Sequence, residues 1–226
     1  METRARLTAR IASLSEFREL IRAMRALAAS HVQEAQLFLP NIRKYSGQIE
    51  TAIVSAATLL PQGDGHIAPP PLNDDRIVIA LCSEQGLSGA YSSEILKAVQ
   101  PLLAGGTQLG LVGRKGALLA EERDMPMAWS LPMATHAPGV STLCLNMMNR
   151  IAGFSHVTIV FAEYSGSGRY EVRRHQLAPL EPRLFDKTNG EEKPFHYLAP
   201  EKLLAKLTLE YVFAELMRAV MEAFAS

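Results

Sequence analysis

Gly86 and Gly89, in the stretch RIVIALCSEQGLSGAYSSEILKAV (residues 76–99), are where this sequence comes nearest to a recognisable chemistry. An apolar run leads into a glycine-bearing turn and then a helical pattern, the arrangement that seats a phosphate on a helix N-terminus. A dinucleotide site needs G-x-G-x-x-G, whose second glycine lets the pyrophosphate approach the backbone. Here two residues separate Gly86 from Gly89 and Ala90 follows, so one required glycine is missing. No acidic ribose ligand stands about twenty residues further on. GLVGRKGA (residues 110–117) carries Lys115 but lacks the following Ser or Thr that would hold magnesium. The turn is therefore read as a tight strand-to-helix connection whose small residues let the helix pack against the sheet.

The remaining reactive residue types form no constellation. Ser88 sits in G-x-S-G, one residue short of the G-x-S-x-G elbow of hydrolases. The six histidines (His31, His66, His136, His156, His175, His196) are scattered, with no HExxH or Cys/His cluster to hold a metal. The carboxylate pairs Glu121–Glu122 and Glu191–Glu192 lie in charged helix-end or loop sequence and read as solvated surface. Neither catalysis nor a cofactor is expected.

The elements tell more. Every seventh residue from Leu7 is apolar: Leu7, Leu14, Ile21, Ala28, Ala35, Ile42, Ile49, Ala56. The positions three further on from Leu14 are Phe17, Met24, His31, Phe38, Tyr45, Ala52 and Leu59, of which only His31 is clearly polar. An a/d repeat held this long predicts a coiled-coil helix from about residue 3 to 59, roughly 85 Å long. Pro40 is expected to bend that helix without ending it, because the stripe resumes in phase at Ile42. Ala28 and Ala35 in the seam imply close approach by a partner helix.

LLPQGDGHIAPPPLNDD (residues 59–75) reads as a linker. Strands are then predicted at 76–81, 107–113, 127–131, 156–164 and 170–180, with SGSG (165–168) as a hairpin. Helices are predicted at about 90–103, from 114, and at about 140–151. Alternating strands and helices predict an α/β domain with a mostly parallel sheet and one antiparallel edge. From Pro200 the pattern is helical again, with Leu207, Tyr211, Ala214, Met217, Met221 and Phe224 as its seam. Antiparallel pairing of the two terminal helices is the economical arrangement. The expected divisions are an N-terminal coiled-coil helix (1–60), a linker (61–75), a Rossmann-like α/β domain (76–195) and a C-terminal coiled-coil helix (196–226).

Composition narrows the function classes. The 226 residues are 48% hydrophobic and 20% charged, with 23 basic against 23 acidic side chains, so nucleic acid is not an expected partner. Residues 1–30 nevertheless hold six arginines against three glutamates, a local +3 that suits either solvent or an acidic partner surface. Cys82 and Cys144 show no disulfide or CxxC spacing, which suggests a reducing compartment. Neither a secretory signal nor an apolar run long enough to span a membrane is evident.

Three stretches carry a resemblance to a known family. RIASLSEFRELIRAMRALAASHVQEAQ (10–36), LCSEQGLSGAYSSEI (81–95) and VGRKG (112–116) are similar to motifs of the gamma subunit of F-type ATP synthases, the central rotor stalk. The order long helix, α/β domain, C-terminal helix agrees. The resemblance implies a non-catalytic shaft that turns within a hexamer of alternating alpha and beta subunits, coupling ion translocation to ATP synthesis or hydrolysis. It implies that Met24, with Arg22 and Arg25 beside it, faces the acidic lever of the catalytic subunits. It further implies that FHYLAPE (195–201), including Tyr197 and Glu201, sits near the epsilon subunit and the membrane rotor ring. The place implied is peripheral, on the cytoplasmic face of the bacterial inner membrane, with no nucleic acid, small-molecule substrate, cofactor or metal. A free-standing coiled-coil scaffold carrying an α/β domain that binds no nucleotide is the alternative.

One departure stands out. In that family the C-terminal helix continues through a segment of the form S-E-x-x-A-R-M-x-A-M, whereas this sequence stops at Ser226. A shortened rotor subunit is expected, its second helix covering about residues 33–59 of the first. The stripe Leu7, Leu14, Phe17, Ile21, Met24 should then lack an intramolecular partner, leaving the isolated chain soluble only with partners or prone to aggregate through residues 1–30.

Overall fold

β1 (Arg76–Leu81, RIVIAL) is buried at every position after its first, as befits a strand covered on both faces. In this computed structural model, which describes residues 2–60, 74–86, 88–166, 169–181 and 195–226 (backbone alone at 2, 3 and 5), β1 is the middle of a five-stranded sheet. β2 (Gln108–Val112) and β4 (His156–Gly166) flank it, both parallel. β3 (Trp129–Leu131) adds in parallel beyond β2, and β5 (Arg169–Ala178) closes the other edge antiparallel to β4. The order is β3-β2-β1-β4-β5. Residues 61–73 of the expected linker and 167–168 of the expected hairpin lie outside the described residues, as do His66 and the pair Glu191–Glu192.

Alternation along β1 divides the core. Val78 and Ala80 face a cluster with Ile95, Leu96 and Ala120, from α2 (Tyr91–Val99) and α3 (Arg114–Glu122). Ile77 and Ile79 face the opposite cluster with Leu143, Met147, Leu216 and Val220, from α4 (Pro138–Ile151) and α5 (Pro200–Ala225). The helix expected over 90–103 is shorter: it ends at Val99, and a tighter 3-10 segment, Gln100–Gly106, takes over. Pro101 has no N–H to continue the α-helical ladder.

The GRKG element owes its glycines to packing. A Cβ on Gly113, whose φ is +102°, would stand 2.3 Å from the Cys82 carbonyl oxygen, and one on Gly116 2.3 Å from the Cys82 Cβ. Gly113→Ala is therefore expected to lose about 2–4 kcal/mol in a urea-unfolding comparison. Cys82 and Cys144 are both buried, and burial pushes each thiol up to about 12, partly offset at Cys82 by the Ser92 hydroxyl. Neither is expected to react with a disulfide reagent in the folded chain, while both should titrate in urea.

α1 (Glu2–Ala57) runs unbroken through Pro40. α5 lies antiparallel along its second half: Ile53 and Ala56 share a cluster with Leu204, whereas His31 meets Phe224 at 4.6 Å between ring centres. The seam corrects the expected one. Ala35, Ile42, Ile49 and Ala56 are buried as the repeat implied, but they alternate with Leu39, Ser46 and Ile53. Phe38 and Tyr45 stand exposed, lining an apolar groove between α1, α4 and α5. Ser46 is polar, so an apolar pattern passes over it and settles on its neighbour. α5 differs from expectation too. It is enclosed by α1, α4 and the sheet rather than pairing along one stripe, and twelve of its residues are buried. Among the described residues no helix is long and apolar enough to cross a membrane.

Candidate functional site

The first half of α1 presents an uncovered apolar row. Leu7, Ile11, Leu14, Phe17, Leu20, Ile21 and Leu27 are all exposed, Leu14 at 63%. Such a row on one helix is far more apolar surface than solvent contact alone explains. Arginines border it: Arg22 is exposed and donates to Glu19 at 2.7 Å, and Arg25 is exposed as well. Met24 is half-buried and lines a cavity of about 400 Å³ with Leu27, His31, Ser83, Tyr91 and Phe224. Tyr197 and Glu201 lie at the other end, both exposed, beside the equally exposed Phe195. The structure does not bring the two groups together, because α5 separates them by its length, about 39 Å at 1.5 Å per residue.

The glycine turn closes on itself. The Ser83 hydroxyl lies 2.6 Å from that of Ser88 and 2.8 Å from that of Ser92, and the Ser83 amide donates to Ser92 at 3.1 Å. Glu84 accepts from the Met133 amide at 2.8 Å and the Arg114 amide at 3.2 Å, and pairs with the Arg114 guanidinium at 3.0 Å. Its carboxylate thus occupies the N-terminus of α3, a position where a helix dipole would otherwise favour a phosphate. The residues at this strand-to-helix turn hold the sheet's carboxyl end together.

Sequence reasoning missed a polar joint at the α1–α5 contact. Glu215 and Glu222 on α5 are both buried, at 3% and 2% exposure. Glu215 accepts from the Ser46 hydroxyl at 2.6 Å and from Arg218 at 2.5 Å, and the His175 ring nitrogen of β5 approaches to 3.1 Å, off the hydrogen-bonding line. Glu222 accepts from Arg43 at 2.5 Å and from the Tyr164 amide of β4 at 3.3 Å. Burial by itself raises the Glu215 carboxyl; His175, Arg218 and Ser46 together outweigh it and hold it at about 2. A glutamate inside an apolar helical seam was the available signal, since ELMRAVME (215–222) places two on the face that packs inward.

Residues 3–226 match a family model described as ATP synthase. The chain belongs to the ATP synthase family. Within it the likeness is to gamma chains. The ATP synthase gamma chain of Bifidobacterium animalis subsp. lactis is 26% identical over 259 residues, spanning 100% of this chain and 82% of that one. That of Bifidobacterium adolescentis is 28% identical over 239 residues, spanning 99% and 76%. The fold agrees with a chain of the Tetrahymena thermophila mitochondrial ATP synthase central stalk and c-ring, with a TM-score of 0.66 at 20% identity, covering 91% of this chain and 93% of that one. As a gamma-type member of the ATP synthase family, the chain is a non-catalytic rotor-stalk subunit, a peripheral part of a membrane-associated complex.

Proposed function

We propose that this chain is the turning shaft of an F-type ATP synthase, its first helix inserted among catalytic alpha and beta subunits and its α/β body facing the membrane ring. The observation that carries the reading is the division of α1. From Ala35 onward its seam is buried against α5, whereas residues 7–27 offer an apolar row edged by arginines. In this reading the terminal helices form an antiparallel coiled coil, and residues 76–195 are a Rossmann-like domain inserted between them.

The asymmetric tip would act on the three catalytic sites by differential contact. A rotor shifts a neighbour's conformational equilibrium only as far as its contacts favour one state over another. Met24 and the flanking Arg22 and Arg25 would supply that difference against an acidic surface on the catalytic subunits. Tyr197 and Glu201 would meet the epsilon subunit and the membrane rotor ring at the foot, on the cytoplasmic face of a bacterial inner membrane. Reconstitution with catalytic alpha and beta subunits, with a bead attached through Tyr197→Cys, tests the reading: ATP should drive the bead in one direction. A stationary bead on an assembly that hydrolyses ATP at full rate would contradict it.

A further inference from the structure

We propose that Glu215 and Glu222 are positioning residues of the rotor, two buried carboxylates that fix the axial register and rotational phase of α1 on the α/β body. They stand seven residues apart on α5. Each is joined to α1 on one side (Ser46 and Arg43) and reaches the sheet on the other (His175 and Tyr164). The torque part of this assignment rests on the rotor reading above; the register part does not.

The apolar seam cannot fix the register alone. Sliding α1 by one heptad exchanges Ala35, Ile42, Ile49 and Ala56 among their own places, an apolar residue for an apolar residue. The polar places do not survive the same slide. In one direction Ile53 arrives opposite Glu215, which loses its α1 partner Ser46, and Glu50 arrives opposite Glu222, a like-charge contact. In the other, Leu39 arrives opposite Glu215 and Gln36 opposite Glu222. Removing a partner from a buried charge is strongly unfavourable, so only the observed register satisfies both carboxylates. Because α5 is also packed against β4, the same two side chains tie the shaft to the sheet. Torque then crosses the joint without slip.

Spin labels at Lys44→Cys on α1 and Arg174→Cys on β5, both exposed sites, read the register in the full chain. The parent chain and the variant Glu215→Gln with Glu222→Gln, which keeps hydrogen-bonding groups in place, should each show a single distance. Glu215→Leu with Glu222→Leu should add a second population, displaced by up to about 10 Å for a slide of seven residues. A swapped chain with Arg43→Glu, Ser46→Ile, Glu50→Arg and Ile53→Ser moves the partners by one heptad and should shift α1 likewise. The swapped chain decides the matter if the leucine variant undocks α1 altogether. Parent distances in both variants would overturn the register assignment. In the reconstituted complex the leucine variant should pump at least twofold fewer ions per ATP hydrolysed, with the glutamine variant restoring the ratio. A displaced distance with an unchanged ratio would overturn the torque assignment. A parent chain that assembles but never pumps would count against the rotor reading itself.

Discussion

Glu215→Ala is expected to cost the folded chain about 3–5 kcal/mol, the largest loss anticipated for any single side chain here. The substitution leaves Arg218, largely buried, without its carboxylate, and strips the Ser46 hydroxyl of its acceptor inside the helix contact. Equilibrium unfolding in urea at pH 7 should show a lower midpoint with a similar slope. The parent chain carries a matching pH dependence. The groups facing Glu215 are Ser46 from α1, His175 from β5, and Arg218 and Tyr211 from α5 itself. Burial raises its carboxyl, but His175, Arg218 and Ser46 outweigh that and hold it at about 2 against an ordinary 4.5. A carboxyl whose pKa is lower in the folded state stabilises fully above the unfolded value and loses that contribution as pH falls through the folded one. About 3 kcal/mol should therefore disappear between roughly pH 4.5 and pH 2. Glu215→Gln should flatten that interval, and an unaltered slope in the variant would assign the dependence to other carboxylates.

The second large effect is expected only in the assembled complex. Leu14→Glu combined with Phe17→Glu puts two charges into the exposed row of α1. In the isolated chain both side chains face solvent, so stability should change by no more than about 0.5 kcal/mol. Burying a large apolar side chain at an interface contributes about 1.5–3 kcal/mol, and a carboxylate in its place must be desolvated as well. If α1 inserts among catalytic alpha and beta subunits as proposed, its dissociation from them should therefore become at least about a hundredfold easier. Equal binding of the parent and the double variant would contradict the proposed insertion of this row among catalytic subunits.

Much of this architecture is legible in the residues. RIVIAL reads as a doubly covered strand because nothing polar interrupts it after Arg76, and SGSG after an apolar strand reads as a reversal. The apolar stripe of the first half of α1 is legible as well, in Leu7, Leu14, Phe17 and Ile21; its exposure is a finding of the structure. What periodicity cannot supply is the polar half of a seam. Ser46 belongs to the buried row but scores as surface, so the pattern shifts to Tyr45 and places Phe38 inward, whereas both are exposed. Glu215 and Glu222 score as solvated for the same reason, although all their partners but Arg218 come from elements 40 to 179 positions away along the chain. In sequence the turn at Gly86 shows only the fingerprint it lacks. That Glu84 fills the N-terminus of α3 depends on β1, β2 and β3 ending side by side, which no local motif encodes.

The most direct measurement of the central claim is site-specific photo-crosslinking in native membranes, with one reactive residue at Met24 and another at Tyr197. A rotor shaft predicts that Met24 captures the catalytic alpha and beta subunits and Tyr197 captures the epsilon subunit or the membrane ring. Capture of a second copy of this chain at Met24, with no synthase subunit at either end, would contradict the account and favour a free-standing scaffold.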